Sequence, residues 1–224
     1  MSELSRRAAL RWMTALSGGM AISAVAPGYA DESGQYAPWP QMKLAPVQAA
    51  GYGTDPDLIT PAPAPWPRLL TTAQRQTSAV LADIIVPREG QVPAASEVGV
   101  VELIDEWVSA PYPQQQGYRQ SIIPGLAWLD DEAGLRFGTG FVQLSTDQQL
   151  AIVDDIATPG EASLSAAHAF FVNFRTLVVG GFYTSPAGSR DLGYLGNVPI
   201  AGDYPGPSPA AMAHLNELLA ELKL

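Results

Sequence analysis

The sequence predicts an all-α protein: a small irregular helical domain with long loops rich in proline and glycine, and an extended N-terminal arm. Apolar residues recur at helical spacing in several segments between about residues 71 and 222. No segment shows the convincing alternation of apolar and polar residues that a half-buried strand requires. Glycine (21) and proline (20) make up nearly a fifth of the 224 residues, which indicates much loop.

Residues 1–30 have the order of parts found in an export signal. Three arginines at positions 6, 7 and 11 precede an uncharged stretch over residues 12–30. Gly28 and Ala30 place small residues where a signal peptidase that cuts after Ala30 requires them. We therefore expect residues 1–30 to be a signal peptide. An uncleaved signal that serves as a membrane anchor is the alternative.

The arginine pair indicates the twin-arginine route of export. The run Ser-Arg-Arg-Ala-Ala-Leu over residues 5–10 is typical of such signals. Proteins on this route cross the membrane already folded, usually with a cofactor of their own or of a partner. We expect a periplasmic protein whose export signal is carried by Ser5, Arg6, Arg7 and Leu10.

Residues 31–67 form the predicted arm. They contain eight prolines, which remove backbone donors and disfavour regular helix. Trp39, Tyr52 and Trp66 are interleaved with these prolines, and disordered linkers rarely carry such large aromatic residues. The segment is predicted to lie extended over a surface, with a disordered linker as the alternative.

Residues 68–224 form the predicted helical domain. Capping residues and breakers predict the helix limits. The first predicted helix begins after Thr71-Thr72 and runs to about Ile85, and the second begins after Ser96 and runs to Pro111. The third covers Gly117–Asp131 with a break near Pro124-Gly125, and the fourth begins at a Ser145/Gln148 capping box and ends near Pro159-Gly160. The fifth covers Ser165 to about Phe182, and the last begins after Ser208 with Pro209 and runs to Leu222.

Composition excludes several classes of site. Twelve basic against 22 acidic residues give a net charge of −10, which argues against a nucleic-acid binder. The chain has no cysteine, so thiolate metal sites, c-type haem attachment and disulfides are impossible. The acidic clusters around residues 105, 130–132 and 154–155 are interpreted as solvated helix faces, since neighbouring acids on a helix diverge. We predict no catalytic, cofactor-binding or metal-ligating residue in this chain.

The segment from Phe170 to Tyr194, FFVNFRTLVVGGFYTSPAGSRDLGY, is the most distinctive. Together with the twin-arginine start and the LADIIVP run (Leu81–Pro87), it resembles the gluconate 2-dehydrogenase subunit 3 family. The resemblance covers about residues 70–205. It departs from the commoner family pattern at Phe182, where the family often has tyrosine, and it does not include the arm.

The resemblance implies a non-catalytic small subunit. In that family the partner is a large flavoprotein of the glucose-methanol-choline oxidoreductase type, which holds FAD and oxidises a sugar, sugar acid or polyol. A multihaem cytochrome c, with haem c, is often the third subunit. The small subunit carries the flavoprotein out and stabilises it, so membrane association would arise only through the partner or an uncleaved signal.

The same segment supplies the candidate partner interface. Aromatic residues and arginine dominate interface energies. We expect Pro186 and Gly188 to shape the Tyr183–Leu192 loop, because glycine accepts a positive φ freely. For the helix interior, packing in this chain's own core is an equal alternative. The candidate residues are Phe174, Arg175, Phe182, Tyr183, Thr184, Ser185, Gly188, Leu192 and Tyr194.

Two other functions remain open from the residues alone. One is a stand-alone exported sugar-binding protein that uses tryptophans as stacking platforms. The other is a small hydrolase with a triad built on His168. The stacking platforms of the sugar-binding alternative would be Trp39, Trp66, Trp107 and Trp128.

Overall fold

The computed structural model describes residues 36–54, 63–158, 160, 162–194, 196 and 206–221. The described part contains seven α-helices: α1 (Thr72–Ile85), α2 (Val100–Ser109), α3 (Pro113–Phe137), α4 (Thr146–Ala157), α5 (Ser165–Tyr183), α6 (Pro186–Asp191) and α7 (Pro209–Glu221). Three short 3-10 helices precede α2, α4 and α5, at Ala95–Val98, Phe141–Gln143 and Ala162–Leu164. These residues contain no β-strand, so the all-α prediction is confirmed.

Capping chemistry sets the helix starts that the sequence predicted. Thr71 and Ser145 each accept a hydrogen bond from the backbone N–H three residues on, and Gln74 and Gln148 complete the two capping boxes. Ser208 likewise accepts from the N–H of Ala211 at 3.2 Å, at the start of α7. The predicted end of α7 at Leu222 lies outside the described residues.

The prediction that Ser96 caps the second helix is wrong. Ser96 lies inside a 3-10 helix, where its N–H and hydroxyl both donate to the Asp83 carboxylate at 2.8 Å. The helix α2 begins after Gly99, whose φ of 84° is a left-handed conformation that glycine adopts without strain. Ser96 therefore ties the end of α1 to the loop that follows it.

The predicted break at Pro124-Gly125 is also wrong, because α3 is a single helix of 25 residues. A proline inside a helix costs about 3 kcal/mol. Burial on both sides of Pro124 offsets that cost, since Ile122 and Leu126 are completely enclosed. Gly125 is needed for close packing, because a Cβ there would lie 2.1 Å from the Phe170 ring.

The core is built around α5. This helix packs against α2, α3 and α4, and its buried side chains include Phe170, Phe171, Phe174, Val178 and Phe182. Among the described residues, one helical stretch, Ala162–Tyr183, is long and apolar enough to span a membrane. Its phenylalanines are enclosed by the other helices, as expected for the central helix of a bundle.

The chain divides into two compact units. The first runs to Leu192 and holds α1 to α6 together with residues 36–54, which carry no helix and contact α3. The second begins at Gly193, and its described residues are dominated by α7, none of whose side chains is buried.

Candidate partner-binding site

A tight corner joins α5 to α6 in the middle of the distinctive segment. At the end of α5, the N–H of Thr184 donates to the Gly180 carbonyl at 3.1 Å and the N–H of Ser185 to the Phe182 carbonyl at 2.9 Å. The Ser185 hydroxyl then caps α6 by accepting from the Gly188 N–H at 3.1 Å. Pro186 occupies the first position of α6, where its missing N–H costs nothing.

Gly188 locks this corner by close approach. A Cβ at this position would lie 2.1 Å from the Phe182 carbonyl oxygen, well inside van der Waals contact. The role expected from the sequence was conformational freedom, but Gly188 is not among the glycines with positive φ. Lack of a side chain, rather than backbone flexibility, is what the structure requires here.

Four of the predicted interface residues are buried in this chain, among them Gly188 at the corner. Phe174 and Phe182 are 0% exposed and belong to the hydrophobic core. Arg175 is 9% exposed, and its guanidinium lies 5.7 Å from the centre of the Phe171 ring. Burial also lowers the pKa of Arg175. In this conformation these side chains stabilise the bundle and offer a partner almost no surface.

The remaining predicted residues are more accessible. Tyr183 is half-buried, with its ring edge-on to the Phe182 ring at 5.1 Å, and Thr184 is exposed. Leu192, at the end of α6, is 63% exposed. Tyr194 is 66% exposed and belongs to the second unit. The corner thus presents Tyr183, Thr184 and Leu192 on one rigid support.

The predicted export residues Ser5, Arg6, Arg7 and Leu10 lie outside the described residues.

The interpretation of the acidic clusters as solvated faces needs correction at Asp105, at Glu132 and at Asp155, whose side chain is 12% exposed. Asp105 is 1% exposed and accepts hydrogen bonds from the N–H groups of Leu69 and Leu70 at 3.2 and 3.1 Å. It also pairs with Arg75 at 2.7 Å, and this hydrogen bond raises the pKa of Arg75. The carboxylate is therefore a structural acceptor for the chain that enters α1.

Glu132 is the second buried acid. It is 0% exposed and forms a salt bridge with Arg136, which in turn lies 2.8 Å from Asp155 on α4. The spacing i, i+4 of Glu132 and Arg136 is visible in the sequence, and it is the signal that would have indicated a paired rather than a solvated acid. Within the described residues no group of three or more potential metal ligands comes together.

The hydrolase and sugar-binding alternatives depend in part on His168, Trp66 and Trp128, and each of these three has a structural partner. The Nδ1 atom of His168 lies 2.8 Å from the Ile156 carbonyl oxygen, so it carries the proton and holds α5 to the end of α4. Trp66 and Trp128 are buried, and their indole N–H groups donate to the carbonyls of Glu106 and Ala37 at 3.2 and 2.8 Å. Neither tryptophan presents a ring face to solvent for a sugar to stack on.

Comparison with known proteins gives one match. The model of the family described as gluconate 2-dehydrogenase subunit 3 matches residues 72–206. No curated protein and no solved structure matches the chain. The match covers more than half of the sequence, from the first residue of α1 through the α5–α6 corner and beyond it. The chain belongs to the gluconate 2-dehydrogenase subunit 3 family, which is named for a subunit of a dehydrogenase complex.

Proposed function

We propose that this chain is a non-catalytic small subunit that escorts and stabilises an exported dehydrogenase. The partner is a large FAD-containing subunit of the glucose-methanol-choline type that oxidises a sugar, a sugar acid or a polyol. A multihaem cytochrome c is a candidate third subunit. The proposal extends the family membership, which names a dehydrogenase subunit, to a specific partner and role.

The α5–α6 corner is the observation that carries the proposal. Its backbone is fixed by the Ser185 cap and by the approach of Gly188 to Phe182, so little conformational entropy is lost when a partner binds. Its accessible side chains include the half-buried Tyr183 at the end of α5 and a largely exposed leucine, Leu192, at the end of α6. A rigid aromatic and aliphatic surface of this kind is typical of the centre of a protein interface.

The sequence of residues 1–30 supports the export part of the proposal. The partner would leave the cell folded, together with this chain, through the twin-arginine signal of the small subunit. In the periplasm the small subunit would stabilise the flavoprotein by binding only its folded state. A chain whose His168, Trp66 and Trp128 serve its own fold suits this role better than catalysis or sugar binding.

A matched pair of leucine variants tests the interface. Leu192→Ser removes the exposed leucine of the corner, and Leu135→Ser removes a leucine on α3 that is 44% exposed. Each tagged variant is purified from the native host, and the copurifying flavin is measured by absorbance. We expect Leu192→Ser to weaken the complex about tenfold, equivalent to about 1.4 kcal/mol, and Leu135→Ser to leave it unchanged.

Equal flavin recovery with both variants would place the interface elsewhere. Circular dichroism provides the control, because surface substitutions of this kind change stability by less than about 0.5 kcal/mol.

A double substitution tests the shared export. Arg6→Lys with Arg7→Lys should block the twin-arginine route, so dehydrogenase activity should disappear from the periplasm and collect in the cytoplasm. Normal periplasmic activity in this variant would contradict escort by the small subunit.

A further inference from the structure

Residues 36–54 lie along α3 in the opposite chain direction. The N–H of Ala37 donates to the Glu132 carboxylate at 2.6 Å, near the end of α3, and the N–H of Tyr52 donates to the Tyr112 hydroxyl at 2.8 Å, just before its first turn. Between them, Gln116 binds Val47. As residue numbers rise along the segment, the residue numbers of its partners on α3 decrease, so the two run antiparallel.

Side chains of α3 form hydrogen bonds to the main chain of this segment, and one of them, Arg136, also lies over the Tyr36 ring. Gln116 accepts from the Val47 N–H at 3.2 Å and donates to its carbonyl at 3.3 Å. Arg119 donates to the carbonyl of Ala45, and Gln120 donates to that of Leu44 at 3.3 Å. With the bonds at Ala37 and Tyr52, these make seven hydrogen bonds between α3 or its N-cap and backbone groups of the segment.

The end of the site around Ala37 is the most enclosed part. Trp128 donates from its buried indole to the Ala37 carbonyl at 2.8 Å, while Glu132 accepts from the Ala37 N–H. Arg136 completes the arrangement: it pairs with Glu132 and lies 5.2 Å from the centre of the Tyr36 ring. One residue of the arm is thus held through both of its backbone groups by side chains that helix packing fixes in place.

Few side chains of the segment are buried. Within residues 36–54 only Ala37 is fully buried, while Tyr36, Trp39 and Leu44 are partly buried against the core. Proline keeps such a segment extended before it binds, so little conformational entropy is lost on binding. Proline-rich peptides that bind aromatic-lined grooves use the same effect. Attachment that rests on main-chain hydrogen bonds and little apolar burial opens more readily than a helical core.

From this geometry we infer that α3 carries a peptide-binding site whose ligand class is an extended, proline-containing segment recognised through its main chain. Residues 36–54 of the same chain are its resident ligand. This segment therefore leaves and rebinds as a unit while the helical bundle stays folded. This inference concerns contacts within one chain and is independent of the proposed dehydrogenase partner.

The test uses the full chain with a protease site inserted between residues 55 and 62. After cleavage, gel filtration shows whether the arm fragment stays bound, and a fluorescent peptide of residues 36–54 is added to measure exchange by anisotropy. We expect the fragment to coelute, the peptide to replace it, and the helical circular dichroism to persist. Absence of exchange, or loss of helical signal when the fragment leaves, would overturn the inference.

Two matched pairs of variants locate the site. Trp128→Phe removes the indole donor to Ala37, while Trp107→Phe removes an indole N–H that has no hydrogen-bond partner among the described residues. We expect the first to weaken peptide binding about tenfold, equivalent to about 1.4 kcal/mol, and the second to leave it unchanged. If both substitutions weaken peptide binding equally, or neither does, the assignment of the site to α3 is overturned.

The second pair lies nearer the surface, where folding is less at risk. Gln116→Ala removes both bonds to Val47, and Gln114→Ala changes an exposed glutamine on the same turn. Faster peptide dissociation from the first variant alone is the expected result. Unchanged dissociation from Gln116→Ala would contradict recognition of the main chain by α3.

Discussion

The arm on α3 and the α5–α6 corner both contain aromatic residues and proline, but they differ in the apolar surface that they leave exposed. In the arm region Trp66 and Trp128 are buried, with each indole N–H donated to a backbone carbonyl. At the corner Phe182 is buried, while Leu192 stays 63% exposed on a rigid backbone. The first region has its ligand within the chain, whereas the second has apolar surface left for another molecule.

The comparison teaches that residue type does not by itself identify an interface. Phe174, Arg175 and Phe182 match the composition of binding hot spots, but they fill the core of this chain. What distinguishes the corner is exposure on a support that is already fixed. The following substitutions separate core, corner and loop contributions, in order of expected effect.

The largest effect is expected for Phe174→Ala. Its side chain is 0% exposed and packs against Phe170, with the ring centres 5.8 Å apart. Truncation of a buried phenylalanine leaves a cavity and costs about 3–5 kcal/mol of unfolding free energy. Urea denaturation of the isolated chain measures the loss. Unchanged stability together with loss of the partner would show that Phe174 is an interface residue after all.

A smaller loss is expected for Gly188→Ala. The added Cβ would meet the Phe182 carbonyl at 2.1 Å, and such overpacking costs about 1–3 kcal/mol. Gly134→Ala is the matched control, because that glycine lies inside α3 with no atom within 4 Å of the added Cβ. The control should gain about 0.5–1 kcal/mol through helix propensity. The measurement is the melting temperature of each variant. An equal decrease in both would contradict the close packing at Gly188.

The smallest effects concern pH. Burial raises the pKa of the Asp83 carboxyl, against the opposing hydrogen bonds from Ser96. Because the folded state holds this proton more tightly, Asp83 contributes stability that is present below about pH 3.9 and lost as the pH rises through its raised pKa. Asp83→Asn should remove that loss, as measured by urea unfolding at a series of pH values.

Glu97, in the 3-10 helix before α2, should respond in the opposite direction. The backbone N–H of Ala94, and then Arg88, lower its pKa. Its contribution to stability is present above about pH 4.3 and is lost as the pH falls through the lowered pKa. Glu97→Gln should therefore be less stable than the unmodified protein near neutral pH and approach it in acid. Parallel pH profiles for the Asp83 and Glu97 variants would contradict both assignments.

Local chemistry allowed much of the fold to be predicted. The Thr71 and Ser145 caps and the limits of α5 depend on neighbouring residues, so the sequence indicates them directly. The continuity of α3 through Pro124 could not be predicted, because it depends on Phe170 and other residues far along the chain that pack against it. Tertiary packing there outweighs a local rule.

The candidate site was predictable only in part. The family-like segment contains the corner, but the division between buried Phe182 and exposed Leu192 depends on how α6 turns back on α5. The contact of residues 36–54 with α3 could not be predicted from the sequence. Gln116 and Arg119 bind backbone atoms there, and backbone atoms are the same whatever the side chains are. The pairing of Glu132 likewise involves a residue far along the chain, Ala37, whose backbone N–H donates to its carboxylate.

The most direct measurement is the absorbance spectrum of the tagged chain purified from the periplasm and membranes of its native host. The account predicts that a larger second chain copurifies and that the eluate shows the peaks of a bound flavin, with dehydrogenase activity toward a sugar, sugar acid or polyol. A colourless chain that elutes alone, from cells in which the dehydrogenase is active and exported, would contradict it.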